Sequence, residues 1–304
     1  MKKWLSTLLF FAGMLLALHP IRASAAAATT VTIGGITVSD GDYLAQDLSP
    51  ATASNYALHF DSGTLTLRNA KDIPDISANG DLTLRLERSN SISGNVQVNG
   101  SLTIGGSGIL TVKGSDSSGV GYHPHALKAT GDITIQSGTV NITGGSVYYA
   151  STRSYAMYAK NIVITGGKVT VAAGPGDGAQ SSSYGIYAEN DIQITGGETV
   201  ATFADCGGNG AVVAGFYAGN AMTVTDAVVT TYGSVNTSNQ LKNYGIYAGN
   251  DLAVTNSTLS ASCGNGTALQ MTCHGIHASN VTLKDSTVTA KSGAASTGDA
   301  FPSY

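Results

Sequence analysis

The amino-acid sequence predicts an all-β fold, namely a right-handed parallel β-helix in which coils of about 30 residues, with three strands per coil, stack as a solenoid. Three observations predict this fold. A five-residue pattern recurs at a nearly constant spacing, alternating apolar segments follow each copy, and glycine-rich corners separate these segments. Only 11% of the residues are charged and 39 of 304 are glycine, so the composition favours strands and turns over surface helices.

The first 25 residues have the pattern of an export signal. Lys2 and Lys3 form a basic start, residues 5–18 are almost wholly apolar, and Ala23-Ser24-Ala25 supplies the small residues that signal peptidase requires. The apolar run has about 14 residues, whereas a membrane-spanning helix needs roughly 20, so a cleaved signal peptide is favoured over a retained anchor. We therefore expect a secreted or cell-surface protein with no membrane span after removal of the signal.

The ends of the remaining chain are less regular than its middle. Gly80-Asp81-Leu82-Thr83-Leu84 and Gly100-Ser101-Leu102-Thr103-Ile104 resemble strand starts only 20 residues apart, which predicts shorter coils. Residues 29–60 lack the pentad and are expected to cap the open first coil. We therefore expect an N-terminal cap and first irregular coils over residues 26–79, followed by β-helix repeats over residues 80–304. Tyr304 falls where a further repeat would begin. We expect a solenoid end without its own cap, open to end-to-end self-association, or a longer chain.

A pentad of the type Tyr-Gly-Ile-Tyr-Ala defines the coils. Its copies lie 30, 29, 30, 30 and 30 residues apart and start at His125, Tyr155, Tyr184, Ala214, Tyr244 and His274. Each pentad leads into an alternating segment such as Ile162-Val163-Ile164, then a corner such as Gly166-Gly167, then a second segment such as Val169-Thr170-Val171. A period of two places one face of each strand in a core. One interior column is therefore predicted from Ile135, Ile164, Ile194, Val224, Val254 and Leu283.

Polar residues recur at the corners between these strands. Asparagine tolerates the left-handed backbone of tight corners, so a structural ladder is predicted from Asn161, Asn190, Asn220, Asn250 and Asn280. Charges also align from coil to coil: Lys160 falls at the position of Glu189, and Lys168 falls at the position of Glu198. Opposite charges across neighbouring strands attract each other, so both pairs are predicted to be structural.

The chain has three cysteines, and export would permit disulfide bonds. Cys263 and Cys273 bracket a nine-residue segment and could staple one loop. Cys206 would then be left either buried or paired with another chain. The alternative is three unbonded thiols that act as small apolar side chains.

The repeat Tyr-Gly-Ile-Tyr-Ala-x-Asn-Asp-Ile-x-Ile-Thr-Gly-Gly resembles the consensus of a carbohydrate-binding β-helix family found in secreted proteins of clostridia and related bacteria. The resemblance covers about residues 80–304. These domains are similar in shape to pectate lyases, and members are described as binding cellulose or pectin-type polymers without cleaving them. The resemblance implies export and a carbohydrate ligand. It also implies calcium, but no ligand set in this sequence matches a calcium site, so no cofactor is assigned.

The candidate binding residues occupy the fourth pentad position, namely Tyr158, Tyr187, Tyr217 and Tyr247, with His277 continuing the column. If the third position faces the core, strand alternation turns the fourth position outwards. Coils stack about 4.8 Å apart, so the rings are predicted to form a ridge along the axis. Their faces would suit sugar rings and their phenol oxygens would bond sugar hydroxyls. The alternative is that these tyrosines only pack on one another. The aromatic residues at the first position are expected to pack under the long loops.

These features favour a polysaccharide-binding module without catalytic activity, whose partner is a plant cell-wall or bacterial surface glycan. A net charge of −4 without a basic run argues against a nucleic-acid partner. Two alternatives stay open. The first is a structural or adhesive solenoid that binds a protein or another copy of itself, and the second is a polysaccharide lyase or hydrolase.

The enzymatic alternative depends on a few scattered side chains. Asp132, Asp191 and Asp251 recur on alternate coils, beside corners, and Asp177 and Asp205 fall in neighbouring long loops. Calcium takes six to eight oxygen ligands and zinc takes four ligands, so neither this set nor the histidine pair at 123 and 125 predicts a metal site. No catalytic residue is therefore assigned. The long loops are interpreted as solvated connections at roughly 113–124, 144–153, 172–183, 203–213, 231–242, 261–272 and 290–303.

Overall fold

The computed structural model describes residues 25–116, 119, 121, 123–149, 151–176, 180–204, 206, 209–233, 240–264 and 270–293. The expected signal peptide, apart from its last residue, lies outside the described residues, as do Asp177 and Asp205. Strands and turns make up the described part of the chain, where no helix is long and apolar enough to cross a membrane.

Five strands, β1 to β5, come before the first regular coil, and their bounds are Val31–Ile33, Ile36–Val38, Gly41–Tyr43, Leu58–Asp61 and Thr64–Arg68. Strands β6 to β29 follow in order as Ile76–Ala78, Leu82–Glu87, Ser89–Ile92, Val96–Val98, Leu102–Gly106, Ile109–Lys113, His125–Ala129, Ile133–Ile135, Thr139–Thr143, Arg153–Ala159, Ile162–Ile164, Lys168–Ala172, Ser182–Ala188, Ile192–Ile194, Glu198–Phe203, Asn209–Ala218, Met222–Thr225, Val228–Gly233, Gln240–Ala248, Asp251–Thr255, Thr258–Ser262, Gln270–His277, Asn280–Lys284 and Thr287–Lys291.

These strands form three sheets that run along the solenoid. Sheet 1 contains β1, β2, β6 and every third strand from there to β27, and it carries the pentads. Sheet 2 runs from β3 through β4, β5 and β7 to β28, and sheet 3 runs from β8 to β29. From β6 onwards, each strand pairs in parallel with the corresponding strand of the next coil, as Ile133 pairs with Ile162. The predicted parallel β-helix of three strands per coil is confirmed, with about six turns spaced about 30 residues apart.

The core lies between the three sheets and contains the predicted apolar column. The first five members of that column, from Ile135 to Val254, are completely buried. Leu283 is different, because it is 51% exposed. It lies in β28, the last strand of sheet 2, and no further coil among the described residues covers it. The expectation of burial was therefore wrong for this last position.

The N-terminal strands pair differently from the repeats. β1 pairs antiparallel with both β2 and β6, and β4 pairs antiparallel with β3 and β5. Leu58 and Phe60 of β4 are fully buried against the core. The segment just before β1 also joins the sheets, because the Ala28 amide donates to the Asp81 carbonyl, and the Asp81 amide donates to Ala26.

Parts of the segments expected to be solvated connections form strands and buried contacts. β21, β24 and β27 begin four to five residues before their pentads, within segments assigned to loops, and these extensions pair from coil to coil. A second apolar cluster lies beneath the loops and contains Ala173, Phe203, Cys206, Ala211, Val213 and Cys263. Buried hydroxyls also close the loops, since Ser154 Oγ donates to Gly145 O at 2.6 Å and Ser183 Oγ donates to Gly174 O at 2.8 Å.

The corner ladder divides into two columns instead of one. The pairing of β13, β16 and β19 aligns Asn161 with Asp132 and Asp191, and Asn280 likewise aligns with Asp251. The corner before β16 is one residue shorter than the corner before β19, which moves Asn161 out of the column of Asn190, Asn220 and Asn250. The amides still bond across coils, as Asn250 Nδ2 does to Asn220 Oδ1 at 2.7 Å.

The predicted charge pairs have different outcomes. Lys168 Nζ lies 3.2 Å from Glu198 Oε2, as expected. Glu189, by contrast, accepts a hydrogen bond from the phenol of Tyr158 through its Oε1. Glu189 therefore contacts the aromatic column instead of forming the predicted pair with Lys160.

Cys263 and Cys273 are joined by a disulfide bond with a Cα–Cα distance of 5.9 Å. The Gly293 amide lies 3.1 Å from each of the two sulfur atoms, so the chain two residues after β29 contacts the disulfide. Cys206 lies outside this bond and is completely buried in the apolar cluster beneath the loops.

Candidate functional site

An irregularity in the pairing of each pentad strand accompanies the candidate site. The ladder of sheet 1 pairs the first, third and fourth pentad residues and omits the second, as between Tyr155–Tyr184 and Met157–Ile186. The second position is always Ala or Gly, and space there is short: a Cβ on Gly215 would lie 1.8 Å from Thr231 Oγ1. The first and fourth side chains lie together in one cluster, apart from the main core.

The fourth-position column is Tyr158, Tyr187, Tyr217, Tyr247 and His277. Its rings stack face to face, with centroid distances along the column of 5.4, 4.7, 4.5 and 4.9 Å. The interplanar angles are 12° or less, so the ring planes stand across the solenoid axis. The four tyrosines are half-buried, and His277 is exposed at the last described coil.

This stacking changes the expected mode of contact with a ligand. Each tyrosine between the ends of the column has both faces covered by the rings of neighbouring coils, so those faces cannot lie flat on sugar rings as expected. Ring edges and phenol groups are the parts of these tyrosines that the stacking leaves uncovered, and the Tyr158 phenol donates to Glu189. Any ligand along the axis would therefore meet a row of hydroxyl groups at the coil spacing of about 4.8 Å.

The first-position column lies beside the fourth and is buried. Tyr155, Tyr184 and Tyr244 are only 4%, 6% and 8% exposed. Tyr155 stacks on His125 and Tyr184, and its ring meets the Tyr158 ring at 68° with a centroid distance of 5.1 Å. The two columns thus form one edge-to-face array, which is a favourable geometry for aromatic pairs. The buried column supports the half-buried one from behind.

Charged side chains lie at the first-coil end of this array. Lys128 Nζ lies over the Tyr158 ring, 5.9 Å from its centroid, in a cation–π contact. Interaction with the Tyr155 phenol raises the pKa of the Arg153 guanidinium, and the Arg153 amide donates to His123 Nδ1 at 3.0 Å. This end therefore combines two cations with the start of the tyrosine column.

The phenols of Tyr158 and Tyr217 stay protonated at neutral pH. Burial raises the pKa of Tyr217 to about 12, with smaller contributions from neighbouring tyrosines. Burial and the hydrogen bond to Glu189 raise the pKa of Tyr158 well above its usual range. A protonated phenol can both donate and accept hydrogen bonds.

A shallow cavity of about 510 Å³ on the outer face of sheet 2 was missed by the sequence reasoning. Its wall includes Val163, Gln193 and Thr223, which point outwards between buried neighbours on three consecutive coils. The alternation of Asp and Asn before the second strand was the available signal, since those side chains form its rim. The rim consists of Asp132, Asn161, Asp191 and Asn220.

The carboxylates of this rim take part in the corner ladder. Asp132 Oδ1 accepts from Asn161 Nδ2, and Asp191 Oδ1 accepts from Asn220 Nδ2 at 2.7 Å and from the Ala221 amide at 3.1 Å. These bonds give both carboxylates a structural role. In the described part of the chain, no group of three or more His, Cys, Asp or Glu side chains could hold a metal ion.

Comparison of the chain with known protein families, with curated proteins and with solved structures finds no match. The structure shows a β-helix of about six turns, and no match supports the narrower family suggested by the repeat consensus.

Proposed function

We propose that this protein is an exported polysaccharide-binding module without catalytic activity, of the kind suggested by its repeat consensus. The glycan chain lies along the solenoid axis on sheet 1. The observation that carries the proposal is the row of four phenol groups on consecutive coils, held in register by ring stacking. Repetition at the coil spacing suits a polymer, because each sugar unit can meet the same group as its neighbour.

Recognition in this proposal depends on hydrogen bonds and not on ring faces. Tyr187, Tyr217 and Tyr247 offer hydroxyls that donate and accept, which matches the hydroxyls of a sugar. The stacked rings lose little conformational freedom on binding, because their neighbours already hold them in place. The cations at the first-coil end, Lys128 and Arg153, add polar contacts at one end of the row.

The test removes only the hydroxyls of the exposed column. We would measure co-sedimentation of residues 26–304 with insoluble cellulose, pectin and peptidoglycan, and assay the supernatant for released sugar. The Y187F/Y217F/Y247F variant keeps the rings stacked but loses the phenol groups. The matched control is Y155F/Y184F/Y244F, which removes three hydroxyls from the buried column. Circular dichroism and thermal melting would show that both variants are folded.

We expect saturable binding to at least one polymer, no released sugar, a tenfold or greater loss of affinity in the first variant, and near-normal affinity in the control. A loss confined to a Gln193→Ala/Thr223→Ala variant would instead place the glycan in the sheet 2 cavity. Release of sugar would favour the lyase or hydrolase alternative. Absence of binding to every polymer would refute the proposal and favour the adhesive solenoid.

A further inference from the structure

Among the described side chains, the phenol rings are the easily oxidised groups that solvent reaches. Met157, Met222 and Cys206 are completely buried, and the other two cysteines are joined in the disulfide. The single tryptophan of the sequence, Trp4, falls in the expected signal peptide. The fourth-position tyrosines are half-buried, so part of each ring is open to solvent. A small oxidant that attacks this surface therefore acts on tyrosine.

Tyr217 and Tyr247 are the two rings best placed to react with each other. They pair directly across neighbouring strands of sheet 1, their centroids are 4.5 Å apart and their planes lie within 8° of parallel. This is the shortest step in the column, whereas Tyr158 and Tyr187 are separated by 5.4 Å. Any reaction that joins two rings of the column is therefore easiest between Tyr217 and Tyr247.

Phenol chemistry supplies such a reaction. A one-electron oxidant takes an electron from a phenol while the O–H proton leaves to water, and the resulting phenoxyl radical shares its unpaired electron with the ring carbons ortho to the oxygen. When two neighbouring phenols have each lost one electron and one proton, an ortho carbon of one ring bonds to an ortho carbon of the other. The hydrogen on each of these carbons then moves to the phenol oxygen, which restores both aromatic rings as dityrosine. The two electrons and two protons that the pair loses reduce one hydrogen peroxide to two water molecules.

The solenoid favours coupling within one molecule over coupling between molecules. Holding two reacting groups in contact makes their reaction unimolecular, which raises their effective concentration far above that of the protein in solution. An unpaired electron also passes between rings in contact, so a radical formed elsewhere in the column reaches the closest pair. The C–C bond requires the rings of Tyr217 and Tyr247 to tilt towards each other, and their half-buried position leaves them room on the solvent side.

We propose that the tyrosine column is a site of oxidative modification, at which a haem peroxidase and hydrogen peroxide join Tyr217 to Tyr247 as dityrosine. The bond ties two neighbouring coils together covalently. Like a disulfide, it restricts the unfolded chain and so stabilises the folded one. Both phenol oxygens are kept. The modification does not depend on the proposed glycan binding, because it needs only the stacked rings and the oxidant.

The test treats residues 26–304 with a haem peroxidase and hydrogen peroxide, without any polysaccharide. Dityrosine is detected by its fluorescence, and a denaturing gel separates products linked within one molecule from products linked between molecules. Trypsin cleavage after Lys242 separates Tyr217 from Tyr247, which then lie in the peptides 169–242 and 243–284. Mass spectrometry detects the two peptides joined, with the loss of two hydrogens, and fragment spectra locate the linked residues.

We expect the joined peptides in a product of monomer mass, with a yield that does not depend on protein concentration. Tyr247→Phe keeps a stacked ring but lacks the phenol, and it should give at least about tenfold less of the joined peptides. The matched control is Tyr232→Phe, which removes a phenol that is 53% exposed and lies in β23 of sheet 3, away from the column. Its yield should equal that of the wild type. Oxidation should raise the melting temperature of the wild type and of Tyr232→Phe, and leave that of Tyr247→Phe unchanged.

Three results would overturn the proposal. They are the absence of dityrosine in the oxidised wild type, equal yields of the joined peptides in the two phenylalanine variants, and crosslinks found only between molecules. Because no polysaccharide is present in this experiment, each of these results leaves the proposed glycan binding to be decided by co-sedimentation.

Discussion

Tyr187 and Tyr217 lie on neighbouring coils with their ring centroids 4.7 Å apart and their planes within 2° of parallel. Tyr217 and Tyr247 repeat this relationship at 4.5 Å and 8°. These distances follow the strand spacing of about 4.8 Å, so the pairing of the coils itself sets the separation of the rings. The column is therefore part of the outer structure of sheet 1 as well as the candidate contact surface.

Replacing Tyr217 by Ala should leave a gap between two stacked rings. The change removes three ring contacts, two stacked and one edge-to-face with Tyr184, each of which contributes about 0.5–1.5 kcal/mol, together with the burial of a half-buried side chain. We expect the free energy of unfolding to fall by about 2–4 kcal/mol, measured by urea denaturation followed by circular dichroism. Tyr217→Phe keeps the stack and should stay within about 1 kcal/mol of the wild type. Equal stabilities for the two variants would contradict a structural role of the ladder.

Replacing His125 by Tyr should reduce the acid sensitivity of the protein. His125 stacks on Tyr155, and burial, followed by the charge of Lys128, lowers its pKa to about 3. Above about pH 6.5 the imidazole is neutral in both the folded and the unfolded chain. Between that pH and the folded pKa, the unfolded chain takes up the proton first. The free energy of unfolding therefore decreases as the pH is lowered, by up to about 1.4 kcal/mol per pH unit.

Tyrosine fits the same column and has no such titration. We expect the melting temperatures of His125→Tyr and wild type to be similar near pH 7 and to separate in favour of the variant at about pH 4.5. Melting curves that shift in parallel over this range would show that His125 is not the residue responsible.

Replacing Gly233 by Ala should disturb the cluster beneath the loops. A Cβ at this position would lie 1.9 Å from Cε2 of Phe203, which is 2% exposed. We expect a loss of about 1–3 kcal/mol from overpacking. Gly119→Ala is the matched control, because nothing lies within 4 Å of a Cβ there. In a double-mutant cycle with Phe203→Ala, the two losses should be less than additive by about 0.5–3 kcal/mol. Additive losses would mean that the two residues do not compete for space.

Removal of the disulfide should weaken the last coils more than the first. Cys263 and Cys273 close a short loop, and the Gly293 amide contacts both sulfur atoms. Cys263→Ala/Cys273→Ala should lower the stability of this end by about 2–3 kcal/mol. Hydrogen exchange should rise in β26 to β29 and stay unchanged in β7 to β14, because solenoid coils contact only their neighbours. Cys206→Ala should keep the disulfide, and uniform exchange would contradict a local role.

The sequence alone determined the architecture, because its evidence is periodic and local. Alternation within each strand and the spacing of the pentads predicted three parallel strands per coil, and the buried column from Ile135 to Val254 follows from that spacing. The ion pair between Lys168 and Glu198 could also be predicted, since strands of equal length place aligned residues side by side.

The tertiary structure decided the features that depend on contacts between coils. Asn161 lies in the aspartate column because the corner before β16 is one residue shorter than the corner before β19. Ile162 nevertheless pairs with Ile133 and Ile192, so Asn161 aligns with the aspartates. Leu283 is exposed because burial requires a covering coil, which periodicity cannot supply. The tyrosine positions were predictable, but the orientation of their rings was not. Whether a ring offers its face or its edge depends on the rings above and below it, and only the stacked coils bring those rings within contact distance.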